Sequence, residues 1–292
     1  MPKRIYLVLF LALVSVSSTS LVIRHVAFVP ALTLAFWRML SASVLLWAYS
    51  AKKPQSLIQT ANRKRIIFAG FFLGLHFALF FVGVRNTSVA SATLLANTGP
   101  VFTAILSWFG GVNISRSVLL GLAISVVGIV LVQWSELRLE GNYFLGNIFS
   151  LVSGFCIAMT YMFASEIRRD TDNTLYGRSV FLVAAITIGL IALFSGVSIF
   201  DFEKSDVVWF LFLGIVPSIM GHNMLNYSIK YLSPTAVASI PLGEPVLASI
   251  FGYLLFFEKV PVSALYGAPI VCLLYTSPSP RDQRGSRMPS SA

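Results

Sequence analysis

Nine apolar stretches of near-bilayer length and a shorter tenth follow one another along 292 residues, joined by short connections. They run Ile5 to Ile23, Ala31 to Tyr49, Ile66 to Val84, Val89 to Phe109, Val118 to Trp134, Phe144 to Ala164, Ser179 to Gly196, Val207 to Ile229, Ala236 to Phe256 and Val262 to Tyr275. A helix crossing the hydrocarbon core needs about 20 predominantly apolar residues, and all but the last meet that length or come close. Unbroken runs of this kind exclude a β-barrel, whose strands show roughly ten-residue alternation and a polar lumen face. A soluble domain is near a quarter charged, whereas 11% of this chain is charged and 57% hydrophobic. The expected fold class is an all-α membrane protein of ten transmembrane helices, and any activity must reside in the bundle itself.

The distribution of Lys and Arg sets the expected orientation. With the N-terminus inside, the inner side collects Lys3, Arg4, Lys52, Lys53, Arg63, Lys64, Arg65, Arg116, Arg168, Arg169, Arg178 and Lys230. The outer side has Arg24, Arg85, Arg138, Lys204 and Lys259, diluted by Glu136, Glu140, Asp201, Glu203, Asp206 and Glu258. Both termini are therefore expected in the cytoplasm. The same bias accounts for the net charge of +10. No nucleic-acid partner is expected, since no soluble domain exists to carry a basic groove with stacking aromatics. The opening MPKR and its apolar run could pass for a cleaved leader, but removing it would leave the sixth stretch without a counterpart in the first half. Cys156 and Cys272 lie inside apolar stretches, where free cysteine is an ordinary small core residue, so neither a disulfide nor a metal site is expected.

That counterpart relation is the second constraint. Aligning Pro100 with Pro245 lays SVASATLLANTGPVFTAILSWF, Ser88 to Phe109, over SPTAVASIPLGEPVLASIFGYLL, Ser233 to Leu255. At nearby offsets FWRMLSASVLLW lies over YGRSVFLVAAIT, which superposes Arg38 on Arg178, and VRNTS lies over IKYLS, which superposes Arg85 on Lys230. Residues 1–135 and 136–275 are thus expected to be two five-helix repeats. Five is odd, so the second copy enters from the opposite side, an inverted repeat with a pseudo-two-fold axis in the membrane plane. Such a pair closes either side of a central cavity with nearly equal energy.

The tenth stretch is cut short at about fourteen residues, and from Thr276 the chain reads TSPSPRDQRGSRMPSSA. Prolines, serines and arginines without apolar periodicity have the composition of a disordered tail. Residues 276–292 look like translated vector or adapter DNA in place of a native helix end. An apolar continuation after Leu273 in the source reading frame would bear this out, and finding the same tail residues in the native gene would refute it.

Glu244 is the strongest candidate for chemistry. A charged side chain at mid-membrane costs about 2.5 to 3.5 kcal/mol on insertion scales, so it faces a cavity or a partner. It is a candidate for proton coupling, or a neutral acid satisfying the carbonyls freed by Pro241 and Pro245. The repeat sets Gly99 opposite it. Pro100, Pro241 and Pro245 each remove an amide donor and are expected to kink their helices. Helix kinks expose carbonyls that need protein or water partners. The eighth stretch carries Ser218, His222 and Asn226 at four-residue intervals, extended by Gly214, which lines one helix face. His76 lies at a similar depth in the third stretch, and both histidines are either proton-coupling candidates or helix-to-helix hydrogen bonders. Thr93, Asn97 and Thr103 share a face with Pro100, and Ser15, Ser18 and Thr19 share one on the first stretch; hydroxyl residues also serve simply to pack helices. Tyr161 is a further cavity candidate. Arg38, preceded by Trp37, could bind a substrate carboxylate bidentately, pair with Glu244, or snorkel to the outer interface.

Enzyme signatures are missing: no HExxH, CxxC, GxSxG or phosphate-cradling glycine loop is present. No enzyme activity, catalytic residue, metal or cofactor is expected.

LSPTAVASIPLGEPVLASIFGYLLFFEKVP, with its earlier copy SVASATLLANTGPVFTAILSWF, resembles the EamA-type branch of the drug/metabolite transporter superfamily, over nearly the whole chain up to Leu274. The resemblance implies ten helices in two inverted repeats and export of small metabolites, such as amino acids and related amphiphiles, through a central cavity. It assigns Glu244 and Pro245 to the family's ninth-helix Glu-Pro and Pro100 to its fourth-helix proline. In the first copy GGVN, Gly110 to Asn113, replaces the acidic residue expected there. The expected partners are a small-molecule substrate and the lipid bilayer, with a homodimer as one compatible assembly, and the expected location is a bacterial inner membrane. The rivals are a non-transporting membrane sensor or scaffold and a lipid flippase.

Overall fold

The computed structural model describes residues 4–51, 57–133 and 143–256, all helical or in turns, with no strand among them. Helices α1 (Arg4–Val16) and α2 (Ser18–His25) break at Ser17, whose hydroxyl bonds back to the Leu13 carbonyl at 2.8 Å. α3 (Ala31–Ser50) and α4 (Thr60–Asn86) are continuous. The fourth apolar stretch is split into α5 (Val89–Ala96) and α6 (Gly99–Phe109). α7 (Arg116–Gln133), α8 (Tyr143–Ile167) and α9 (Asn173–Phe194) follow. The eighth stretch starts as α10 (Val207–Leu213), widens into a π-helix over Gly214–His222, and ends as α11 (Asn223–Ser228). The ninth is α12 (Pro234–Ala238), a 3₁₀ turn over Ile240–Gly243 and α13 (Glu244–Phe256). The tenth stretch and the tail lie outside the described residues.

Seven of these segments are long and apolar enough to cross a bilayer: Arg4–Ile23, Ala31–Ser50, Thr60–Asn86, Ser91–Phe109, Tyr143–Ile167, Asn173–Phe194 and Lys204–Ser228. The protein is therefore an all-α, multi-pass membrane protein. Several helices outrun their apolar windows because polar ends also adopt helix; α4 begins six residues before Ile66, in TANRKR. Outward faces carry large exposed apolar side chains such as Leu7, Phe10, Leu120, Leu193 and Phe194, a distribution suited to lipid and adverse in water.

The centre is built on α4. It runs antiparallel to α8, with Gly83 against Ser150, His76 beside Ser153 and the Ala69 carbonyl near the Thr160 hydroxyl. On its other flank α9 lies parallel to it, and α9 packs antiparallel on α3, where Phe36 meets Gly189 and the Ser43 hydroxyl reaches the Arg178 carbonyl at 2.8 Å. The π segment packs on α1 and α3, and α12 packs on α6 and α8. Lipid tails are as apolar as leucine, so close backbone approach drives association. Gly74 shows this: a Cβ there would stand 2.8 Å from the Ala184 carbonyl oxygen of α9.

Polar clamps secure the two ends. At one, Arg85 Nη2 donates to the Val26 carbonyl at 2.8 Å and the Val29 carbonyl at 3.1 Å, and Nη1 to that of Ala27. Trp37 Nε1 donates to the Ile199 carbonyl at 2.7 Å at the same end. At the other, Arg168 donates to the carbonyls of Asn226 and Thr171, and Asn173 Nδ2 to that of Asn223 at 3.0 Å.

Candidate functional site

Three helix interruptions surround a cavity. In the fourth stretch the break falls at Asn97 and Thr98, and Pro100 stands in the first turn of α6, where its missing N–H costs nothing and its fixed φ suits a helix start. In the ninth stretch Pro241 lies in the 3₁₀ turn and Pro245 is the second residue of α13. The kinks expected at these prolines are thus full breaks in the two matched stretches. Pro217 interrupts the eighth stretch within the π segment. There the Ser218 hydroxyl bonds the Leu213 carbonyl five residues back at 2.8 Å, and the Asn223 amide bonds the Ser218 carbonyl. π segments of this kind recur at functional sites.

The cavity is partly open and is lined by Val16, Thr19, Arg38, His76, Phe77, Phe80, Ala96, Asn97, Gly99, Pro100, Ile157, Tyr161, His222, Ala238, Pro241 and Glu244. Arg38 is 0% exposed, which excludes the interfacial snorkelling position. Its Nε donates to Ser218 Oγ at 2.9 Å, and its Cζ lies 4.1 Å from the centroid of the Phe77 ring. Nη1 and Nη2 are buried and have no hydrogen-bond partner. Glu244, 7% exposed, faces the same cavity and interacts electrostatically with Arg38. Asn97 lies beside Glu244, although its Nδ2 makes no hydrogen bond of good geometry. The Tyr161 hydroxyl is likewise buried and unpartnered.

His76 is fixed by Ser153. Its Nδ1 lies 3.0 Å from the Ser153 carbonyl, an acceptor only, and 2.8 Å from Ser153 Oγ, which donates to the His76 carbonyl at 3.0 Å. The network places the ring proton on Nδ1 and leaves Nε2 as an acceptor in the neutral imidazole. The His222 ring stands 6.2 Å from that of His76 and 5.0 Å from Phe77, centroid to centroid.

Of the residues singled out in the sequence, Thr19, Arg38, His76, Asn97, Gly99, Pro100, Tyr161, His222, Pro241 and Glu244 come together around this space. Others do not line it. Ser15 and Thr93 bond back to their own helices, at the Leu11 and Val89 carbonyls, and Ser18 does the same at Ser15. Trp37 points into an aromatic cluster with Phe36, Phe200, Phe202 and Phe210. Ser218 supports Arg38 from behind, and Asn226 receives Arg168 on its carbonyl at the far end. The second stretch enters the site through Arg38, beside the first, third, fourth, sixth, eighth and ninth. Sequence reasoning missed Phe77, Phe80, Ile157 and Val16. Phe80 could have been found, since it lies one helical turn beyond His76. Arg178, which the sequence alignment sets over Arg38, stays outside: its Cζ stacks 3.8 Å from the Trp47 ring centroid and Nη1 donates to Ser50 Oγ at 2.8 Å.

The sequence model of the EamA-like transporter family matches residues 3–134 and again residues 144–274. The chain belongs to the EamA-like transporter family. An uncharacterized transporter of Archaeoglobus fulgidus is 26% identical over 199 residues, 66% of this chain and 68% of that protein. One of Helicobacter pylori strain J99 is 26% identical over 226 residues, 74% of each chain. The uncharacterized inner membrane transporter YedA of Escherichia coli is 26% identical over 232 residues, 76% of this chain and 73% of YedA. A solved crystal structure superposes with a TM-score of 0.79 at 14% identity, covering 99% of this chain and all of that one; it establishes the shared fold. The family and these relatives carry the name transporter.

Proposed function

We propose that this EamA-family protein exports small organic metabolites, amino acids or related amphiphiles, across a bacterial inner membrane by alternating access, with both termini cytoplasmic. The moving parts are two inverted five-helix repeats, residues 1–135 and 136–275. The double family match supports the duplication. The inversion is supported by α3 and α9, repeat mates by sequence, which pack antiparallel. Contacts also pair up under exchange of the halves: α4 with α8 answers the π segment with α1, and α4 with α9 answers the π segment with α3.

One observation carries the reading. Unpartnered polar atoms of Arg38, Asn97 and Tyr161, from three different helices, converge on one buried cavity that also holds Glu244. Buried polar groups are nearly always paired, so such convergence marks a place where a ligand supplies the partners. A flippase would call for a ring of basic residues, and among the described lining residues Arg38 alone carries a fixed positive charge. Purified protein in liposomes preloaded with a labelled amino-acid panel should give saturable efflux that empty liposomes lack. No flux across amino acids, nucleobases and quaternary amines, and no ligand-dependent stabilisation, would favour a sensor or scaffold and overturn the proposal.

Proton coupling is a second reading, favoured by Glu244, His76 and His222 sharing one chamber. It predicts that an imposed pH gradient accelerates efflux and that Glu244→Gln, which keeps the shape and removes the charge, abolishes that acceleration. Flux indifferent to both would make the protein an uncoupled facilitator.

A further inference from the structure

We propose that this cavity selects ligands bearing a carboxylate, which docks on the Nη1–Nη2 edge of Arg38; the inference rests on the cavity being the substrate site. A guanidinium presents donors on three sides of a plane. One side is taken, because Nε donates to Ser218 Oγ at 2.9 Å, and that hydroxyl is itself anchored on the Leu213 carbonyl at 2.8 Å. One face is covered by Phe77 at 4.1 Å, with Phe81 more distant at 5.7 Å. These contacts fix the plane of the group and leave the edge formed by Nη1 and Nη2.

That edge is buried and unpartnered, although Glu244 faces the same chamber. A buried cation without hydrogen-bond partners is costly, and two parallel N–H donors match a carboxylate in the fork-to-fork geometry that adds strength and direction. Asn97 Nδ2 and the Tyr161 hydroxyl, also unpartnered on the cavity wall, can donate further. The ligand's remainder meets Val16, Phe80 and Ile157, an apolar surface. An ammonium group is compatible but not required: Glu244 and His76 Nε2 supply acceptors. The selected class is therefore the small organic carboxylate with an apolar body, zwitterionic or not.

Four probes on one carbon skeleton separate these features: leucine, leucinamide, 4-methylpentanoate and 4-methylpentanamide. Binding to the detergent-purified full chain is measured by calorimetry and by thermal shift. A site built to hydrogen-bond a substrate group rejects analogues lacking it, so each acid should bind at least about tenfold tighter than its matched amide. Arg38→Gln should bring the acids down to the amides, and Arg38→Lys should restore part of the preference. Should Arg38→Gln fail to fold, Ser218→Ala, which frees Nε, decides: acid affinity should fall while amide affinity holds. The proposal is overturned if acid and amide bind the unaltered protein equally, if the preference survives loss of Arg38, or if none of the four binds. Flux of other cargo without any acid preference would leave the transporter reading standing and remove only this inference.

Discussion

Gly74→Leu is expected to prevent stable assembly of the bundle. A Cβ at that position already stands 2.8 Å from the Ala184 carbonyl oxygen, 2.8 Å from Thr187 Cβ and 3.1 Å from Ala184 Cα. Two of those atoms are backbone, so the neighbour cannot rotate away, and α4 and α9 must separate along the interface that also carries Gly70. Overpacking a tight core costs about 1 to 3 kcal/mol for added methylenes, and a whole isobutyl group against backbone should exceed that range, against a total stability of about 5 to 15 kcal/mol for an ordinary domain. Gly110→Ala is the control, since its added Cβ would meet nothing nearer than 3.4 Å. Unfolding of both variants in denaturing detergent gives the comparison. If Gly74→Leu unfolds where the unaltered protein does, the α4–α9 contact described above is wrong.

Ile157→Trp is expected to silence transport while sparing the fold. Ile157 lines the cavity from α8, and its Cγ2 would lie 3.1 Å from a Cβ placed on Gly99, at the start of α6. An indole at this point fills space on the ligand's path between the broken helices. Filling that space leaves no room for cargo, so flux should fall to the protein-free background. Size-exclusion behaviour should match the parent protein. Unchanged flux would mean that cargo does not cross at this level of the bundle.

Much of the fold was legible because bilayer spanning leaves so strong a mark: long apolar windows fall on α3, α4, α8 and α9 nearly where expected. The breaks were legible only in part. Pro100 and Pro245 advertised theirs, but the break at Ser17 comes from a hydroxyl bonding back to its own helix, a signal shared by many serines that leave helices whole. The π segment was misread for a physical reason. A four-residue stripe of Gly214, Ser218, His222 and Asn226 assumes α winding, whereas five-residue bonding turns Ser218 toward Arg38 and leaves His222 alone of the four on the cavity. Arg38 was legible as unusual, and its three possible roles were separated only by burial and by its bond to Ser218. Trp37, its neighbour, points roughly a helical step away, into the aromatic cluster at the end of the bundle; adjacency in sequence does not place two helical residues on one face.

The central claim is that one buried chamber is reached in turn from each side of the membrane. Asn97→Cys, in a background carrying Cys156→Ser and Cys272→Ser, places a thiol on the chamber wall at the break between α5 and α6. Labelling by a membrane-impermeant maleimide is followed in right-side-out and in inverted vesicles. The account predicts modification from both sides, slowed in both by a transported ligand. Modification from one side alone under every condition would contradict it.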